Sequence, residues 1–160
     1  VSIVRAFIGG ALLAALLAGP AAAIQDKSVT APIEAFLLAF NGGDMKVAAA
    51  QFVTGGTSII DEFAPHYWVG PAALTQWAAD YGKDSTARGI TDGKVTLGKP
   101  TRVEVEAGVA YVITPAHYTF EQKGTPMVED GAMTFALKGK AKGWKIAAWT
   151  WSGPPPHALK

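Results

Sequence analysis

The sequence predicts an α+β domain: a cone-shaped, curved antiparallel sheet with a mixed edge, and three N-terminal helices packed on its concave face. Two observations carry this. Residues 108–152 hold three apolar, β-branched and aromatic runs separated by Gly, Lys and Glu clusters, the pattern of antiparallel strands joined by tight connections. Upstream, apolar residues recur at i, i+3, i+4 and i+7 in two separate stretches, which places helices before the main run of strands. Helices gathered on one face of a sheet make an α+β layer, and a sheet that curls under them leaves a hollow.

Thr30 is expected to cap a first helix with Pro32 in its first turn, where the missing N–H costs nothing, and Ile33, Phe36, Leu37 and Phe40 form its apolar stripe. Asn41-Gly-Gly43 ends it, and Asp44 caps a second, short helix reaching about Phe52. Ser58–Phe63 is a short strand stopped by Pro65, with a loop after it. Gly70-Pro71 opens a third helix with the stripe Leu74, Trp77, Ala78 and Tyr81, fraying from Gly82. Strands are expected at 94–97, 101–106, 109–120, 128–137 and 144–152. Pro115 argues for a bulge or an edge in the third of these, because proline cannot donate to a ladder. In the last strand Trp149 and Trp151 fall on one face and Trp144, Ile146 and Ala148 on the other, so it should be covered on both sides. Pro154-Pro-Pro156 ends the domain, leaving a loose tail.

The 160 residues suffice for one domain. Residues 1–23, with Arg5, an apolar run from Ala6 to Leu17, a Gly-Pro break and small residues before Ala23, read as a secretory signal peptide cleaved after Ala23. The apolar run is shorter than the ~20 residues of a membrane span, so no stable anchor is expected after cleavage. Export, to the periplasm or beyond the cell, is the expected fate. The domain proper is then 24–153, with a Pro-rich tail at 154–160. Cysteine is absent, so stability must come from the core rather than from disulfides. Without Arg5 the 14 basic residues become 13 against 13 acidic ones, and this balance gives no footprint for nucleic acid or an anionic membrane.

The order of elements, the Phe40-Asn-Gly-Gly-Asp44 turn and the closing Gly143-Trp-Lys-Ile-Ala-Ala-Trp-Thr-Trp-Ser152 together resemble the nuclear-transport-factor-2-like superfamily, in particular its SnoaL-like and ketosteroid-isomerase-like branches. The resemblance covers about residues 28–152. Thr150 stands where many members carry a histidine. The resemblance implies a cone fold, frequent homodimers through the sheet face, and uses from isomerases and cyclases to binding modules.

Candidate chemistry clusters in Asp61-Glu-Phe-Ala-Pro-His66-Tyr-Trp68. Asp61 and His66 read either as a general base and its partner beside aromatic walls, or as a solvated strand end with a packed loop histidine. His117 and Tyr118 are neighbours on a strand and point to opposite faces, so only one of them lines the hollow. Asp130 is a candidate by the family resemblance, and otherwise a charged hairpin end. Asp80 reads as a solvent residue. Phe40, Phe63, Trp68, Trp77, Tyr81, Tyr118, Phe135, Trp149 and Trp151 supply core and ligand-facing aromatics. Three scattered histidines form no metal set, and neither a phosphate loop nor a nucleophile elbow is present, so no cofactor is expected. The expected partner is a small apolar or hydroxylated molecule. Three readings stay open: a binding domain, a cofactor-independent acid–base enzyme (isomerase, cyclase or dehydratase type) using Asp61 with His66 or His117, and a non-catalytic dimerisation module.

Overall fold

The computed structural model describes residues 27–140 and 143–160, and the leader-like stretch 1–23 lies outside them. The elements are α1 (Lys27–Asn41), α2 (Met45–Ala49), β1 (Thr57–Ile60), β2 (Tyr67–Gly70), α3 (Ala73–Arg88), β3 (Ile90–Leu97), β4 (Arg102–Glu106), β5 (Val109–Gln122), β6 (Thr125–Lys138), β7 (Lys145–Ser152) and β8 (His157–Ala158). The strands form one curved, unclosed sheet in the order β2-β1-β7-β6-β5-β3, with β4 also on β5 and β8 on β6. Its mixed edge comes from β1, which pairs parallel to β7 and antiparallel to β2. A parallel pair needs a long crossover. Everything from β2 to β6 supplies it.

Side-chain alternation decides what the concave face carries. On β5, Ala110, Val112, Thr114, Ala116 and Phe120 are buried, and on β6, Glu129, Met133, Phe135 and Leu137. Strand β7 departs from simple alternation: Ala136 pairs with Ala148 but Leu137 with Ile146, so Ala147 is an extra, unpaired residue. This bulge switches parity. Trp144, Ile146 and Trp149 are therefore all buried on the core side, where a regular strand would have split them between faces.

Pro115 makes neither a bulge nor an outer edge. It pairs with Ala132 in unbroken register, and on its other side it lies in the gap between Ala116, which faces the last residue of β3, Leu97, and Ile113, which faces the first of β4, Arg102. The Gly98 N–H donates to the Pro115 carbonyl at 2.8 Å, so the missing proline donor falls where no ladder partner is required.

The helices cover the concave face. Ile33, Phe36 and Leu37 of α1 and Leu74 and Trp77 of α3 are buried against it. Thr30 is inside α1 rather than capping it, since the helix already runs from Lys27. The end of α1 is tied to β3 through the Asn41 side chain, which donates to the Val95 carbonyl at 2.7 Å and accepts the Val95 N–H at 3.0 Å. Asp44 caps α2 as expected, accepting from the Val47 N–H at 3.0 Å, but the helix stops at Ala49. Helix α3 does not fray at Gly82. One glycine costs a helix only about 1 kcal/mol, and the helix continues to Arg88, with Asp80–Lys83 and Asp84–Arg88 contacts at 2.9 and 3.3 Å along it and Gly89 (φ 68°) closing it. The last residues are not loose: His157–Ala158 pair with Val128 and Met127 as β8. None of the described helices is long and apolar enough to cross a membrane.

Candidate functional site

Between α1, α3 and the concave sheet lies a hollow lined by Phe36, Phe40, Phe63, Trp77, Tyr81, Trp149 and Trp151, with Asp61, Glu62, Asp84, Ser85, Arg88, Tyr118 and Glu129 supplying its polar groups. About 60 Å³ of it is open to the centre of a water molecule, and its empty space with the mouth included is about 610 Å³. That is room for a single small molecule. The walls are fixed by ring packing: Trp77 stacks on Tyr81 at 5.7 Å, meets Trp149 edge-on at 5.1 Å and touches Phe40 at 5.2 Å. Burying such rings is worth several kcal/mol each, so the cavity wall is also the core of the domain.

Besides Asp84, which pairs with Arg88, three carboxyls enter this apolar hollow. Asp61, just beyond the end of β1, accepts the Trp77 indole N–H at 2.8 Å and the Glu62 backbone N–H at 2.8 Å. Burial raises its pKa to about 6, against the lowering effect of these two hydrogen bonds. Glu129 is 1% exposed and accepts the Trp151 indole N–H. Glycine at 131 makes that contact possible: a Cβ there would lie 3.0 Å from the Trp151 ring and 2.7 Å from the Ser152 carbonyl. Glu62 sits at the rim, exposed as a residue, with its carboxyl near that of Glu129. Its pKa is pushed up to about 7, first by burial of the carboxyl and then by the neighbouring Glu129.

Opposite them, the Tyr81 and Tyr118 hydroxyls lie 2.7 Å apart. One hydroxyl spends its proton on the other, which leaves the second proton for a third acceptor. Burial, then the contact with Tyr81, holds the Tyr118 phenol well above its ordinary value, so it stays a neutral donor. The pair fits only because β3 is irregular between Thr91 and Lys94 and presents Gly93 there. A Cβ on Gly93 would stand 2.7 Å from the Tyr118 hydroxyl and 2.8 Å from that of Tyr81. Two residues of the lining, Ser85 and Trp149, each hold a buried polar atom with no hydrogen-bond partner, Oγ and Nε1.

Of the residues singled out from sequence, Asp61, Phe40, Phe63, Trp77, Tyr81, Tyr118, Trp149 and Trp151 line the hollow. The others do not. His66 is an exposed turn residue whose Nδ1 lies 3.2 Å from the Asp61 carbonyl oxygen. His117 and Asp130 are hydrogen-bonded to each other on the convex face, both about half exposed, because Pro115 leaves strand parity unchanged. Trp68 packs on Phe63 at 5.1 Å and donates to Asp80 at 3.1 Å, away from the lining, and Phe135 is fully buried core. Sequence reasoning passed over Glu62, Glu129, Ser85 and Arg88. Glu129 was legible, since it shares the parity of Met133, Phe135 and Leu137; Ser85 and Arg88 continue the Trp77–Tyr81 stripe once α3 is extended. Among the described residues, no group of three or more His, Asp or Glu side chains is placed to hold a metal ion.

No protein-family model matches the sequence, and no curated protein matches it. Solved structures do. A ketosteroid isomerase-like protein from Erwinia carotovora atroseptica is 20% identical with a TM-score of 0.63, over 84% of this chain and 99% of that one. A nuclear transport factor 2-like superfamily protein from Salmonella enterica serovar Typhimurium is 19% identical with a TM-score of 0.64, over 81% and 91%. The hexachlorocyclohexane dehydrochlorinase LinA-type3 from Novosphingobium barchaimii is 13% identical with a TM-score of 0.64, over 81% and 88%. At these identities the likeness is one of fold, and it agrees with the cone, the helical cover and the hollow: this chain is built on the nuclear-transport-factor-2-like fold.

Proposed function

We propose that the protein is a cofactor-independent acid–base enzyme that moves a proton on a small, largely apolar molecule held in the hollow. The observation that carries the reading is the gathering of three carboxyls, Asp61, Glu62 and Glu129, and the Tyr81–Tyr118 hydroxyl pair in one aromatic-walled cavity. Asp61, with its pKa about 6, is an anion at neutral pH yet basic enough to take a proton. The Tyr81–Tyr118 pair donates to the oxygen on which charge develops, and Glu62, with its raised pKa, returns a proton. The fold is shared with proteins described as a ketosteroid isomerase-like protein and a dehydrochlorinase, which supports chemistry of this type without naming the substrate.

Deuterium exchange at the carbon beside the carbonyl of small cyclic ketones, monitored by NMR in D2O, tests this directly. The folded wild type should accelerate exchange, and Asp61→Asn should lose about 100-fold or more of the acceleration with its circular dichroism unchanged. Exchange no faster than with free carboxylate buffer, for every ketone tried, would leave a binding domain as the better reading.

Export and self-association complete the proposal. Residues 1–23 support export, and a convex face with Ala132, Thr134, Ala136, Ala148 and Thr150 at its centre supports a homodimer joined through the sheet. N-terminal sequencing of the exported protein, expected to begin at Ile24, checks the first; light scattering, expected to give twice the chain mass, checks the second.

A further inference from the structure

We propose that the molecule the hollow takes is a small apolar amine, bound as its cation, that also carries a hydroxyl or carbonyl oxygen. The inference rests on the hollow being a ligand site, as proposed above, and adds what kind of ligand its charges select.

The lining contains four acidic side chains, Asp61, Glu62, Asp84 and Glu129, and one basic one, Arg88. Arg88 is already matched, with Nη1 3.3 Å from Asp84 Oδ2. Of the remaining three carboxyls, Glu62 shares with Asp84 the single positive charge of Arg88, and Asp61 and Glu129 meet only neutral donors, the indole N–H groups of Trp77 and Trp151 and the Glu62 backbone N–H. Such donors hold a carboxylate in place without cancelling its charge. Positive charge is therefore what the hollow lacks. A ligand carboxylate or phosphate would have to sit against Glu62 and Glu129, and would meet a single guanidinium that Asp84 already balances. An ammonium placed there meets the carboxyls instead.

The walls suit the same ligand. Trp77, Tyr81, Phe40, Phe63, Trp149 and Trp151 surround the space, and the negative face of an aromatic ring attracts a desolvated cation as well as an apolar body. One neutral feature asks for an oxygen on the ligand: the Tyr81–Tyr118 pair has one proton to spare.

Three probes of one shape separate the possibilities at pH 7.5: benzylamine, benzyl alcohol and benzoate, titrated by ligand-observed NMR. Benzylamine should bind about tenfold or more tightly than benzoate and several-fold more tightly than benzyl alcohol. Glu62→Gln, a change at the exposed rim that folding tolerates, should weaken benzylamine by about fivefold to tenfold and leave benzyl alcohol within about twofold. Benzoate binding as well as benzylamine, or an amine-to-alcohol ratio unmoved in Glu62→Gln, would overturn the charge inference and leave the acid–base function standing. Failure of all three probes to bind would overturn both. Ketone exchange without amine preference would remove only this one.

Discussion

Gly93 decides where two tyrosine hydroxyls sit. Its hydrogen occupies the space in which a Cβ would press on Tyr118 Oη at 2.7 Å and Tyr81 Oη at 2.8 Å, distances that normal packing does not allow. Gly93→Ala should therefore part the pair, costing about 1–3 kcal/mol of stability, and should slow ketone exchange about as much as Tyr118→Phe, on the order of tenfold to a hundredfold. The double variant is the sharper measurement. Removing the Tyr118 hydroxyl removes most of the clash, so Gly93→Ala should cost clearly less in a Tyr118→Phe background than in the wild type. Additive losses in denaturant midpoint would mean that the glycine is unrelated to the pair. Nothing in the sequence marks Gly93, because its role depends on a strand irregularity that brings it against residues 12 and 25 positions away. Glu129 is the opposite case. Alternation on β6 alone assigns it to the core face, whereas the family resemblance points to its neighbour Asp130.

At the scale of elements, periodicity accounts for the part of the fold that was legible. The apolar stripes of α1 and α3, the alternation of β5 and β6, the Asp44 cap and the order of helices before the main sheet all come from local chemistry acting within a few residues. The illegible part depends on partners far along the chain. The extra residue at Ala147 shows only in the register with β6, and it turns an apparently two-faced strand into one that gathers Trp144, Ile146, Trp149 and Trp151 on the core side. Strand β2 has few residues and mixed exposure, and exists because β1 offers it an edge. Helix α3 outlasts Gly82 because neighbouring turns and ion pairs hold it, and that extension carries Ser85 and Arg88 to the mouth of the hollow. The site is thus made at the places where tertiary pairing overrides local preference.

For the whole molecule, placing carboxyls in the hollow sets stability against charge, and pH reads the conflict. Asp61 goes from 3.8 to about 6 and Glu62 from 4.5 to about 7 on folding, in each case chiefly through burial. A raised carboxyl pKa means that the folded state holds its proton at pH values where the unfolded chain has lost it. Stability should therefore be greatest below about pH 4 as far as these groups decide it, fall as pH rises from about 4 to 7, and level off above. Glu62 contributes little to the fall, since water reaches the rim. Asp61 contributes on the order of 1–3 kcal/mol. Asp61→Asn keeps an oxygen for the Trp77 N–H and loses the charge, so urea unfolding should show the variant more stable than wild type at pH 8, and equal to it at about pH 3.5 to within about 0.5 kcal/mol. The same substitution should abolish exchange activity, which makes the stability gain and the catalytic loss two readings of one buried charge. A variant less stable at pH 8, or a gain that does not shrink toward acid, would show that Asp61 is not strained in the fold and would take away its role as a base tuned by burial.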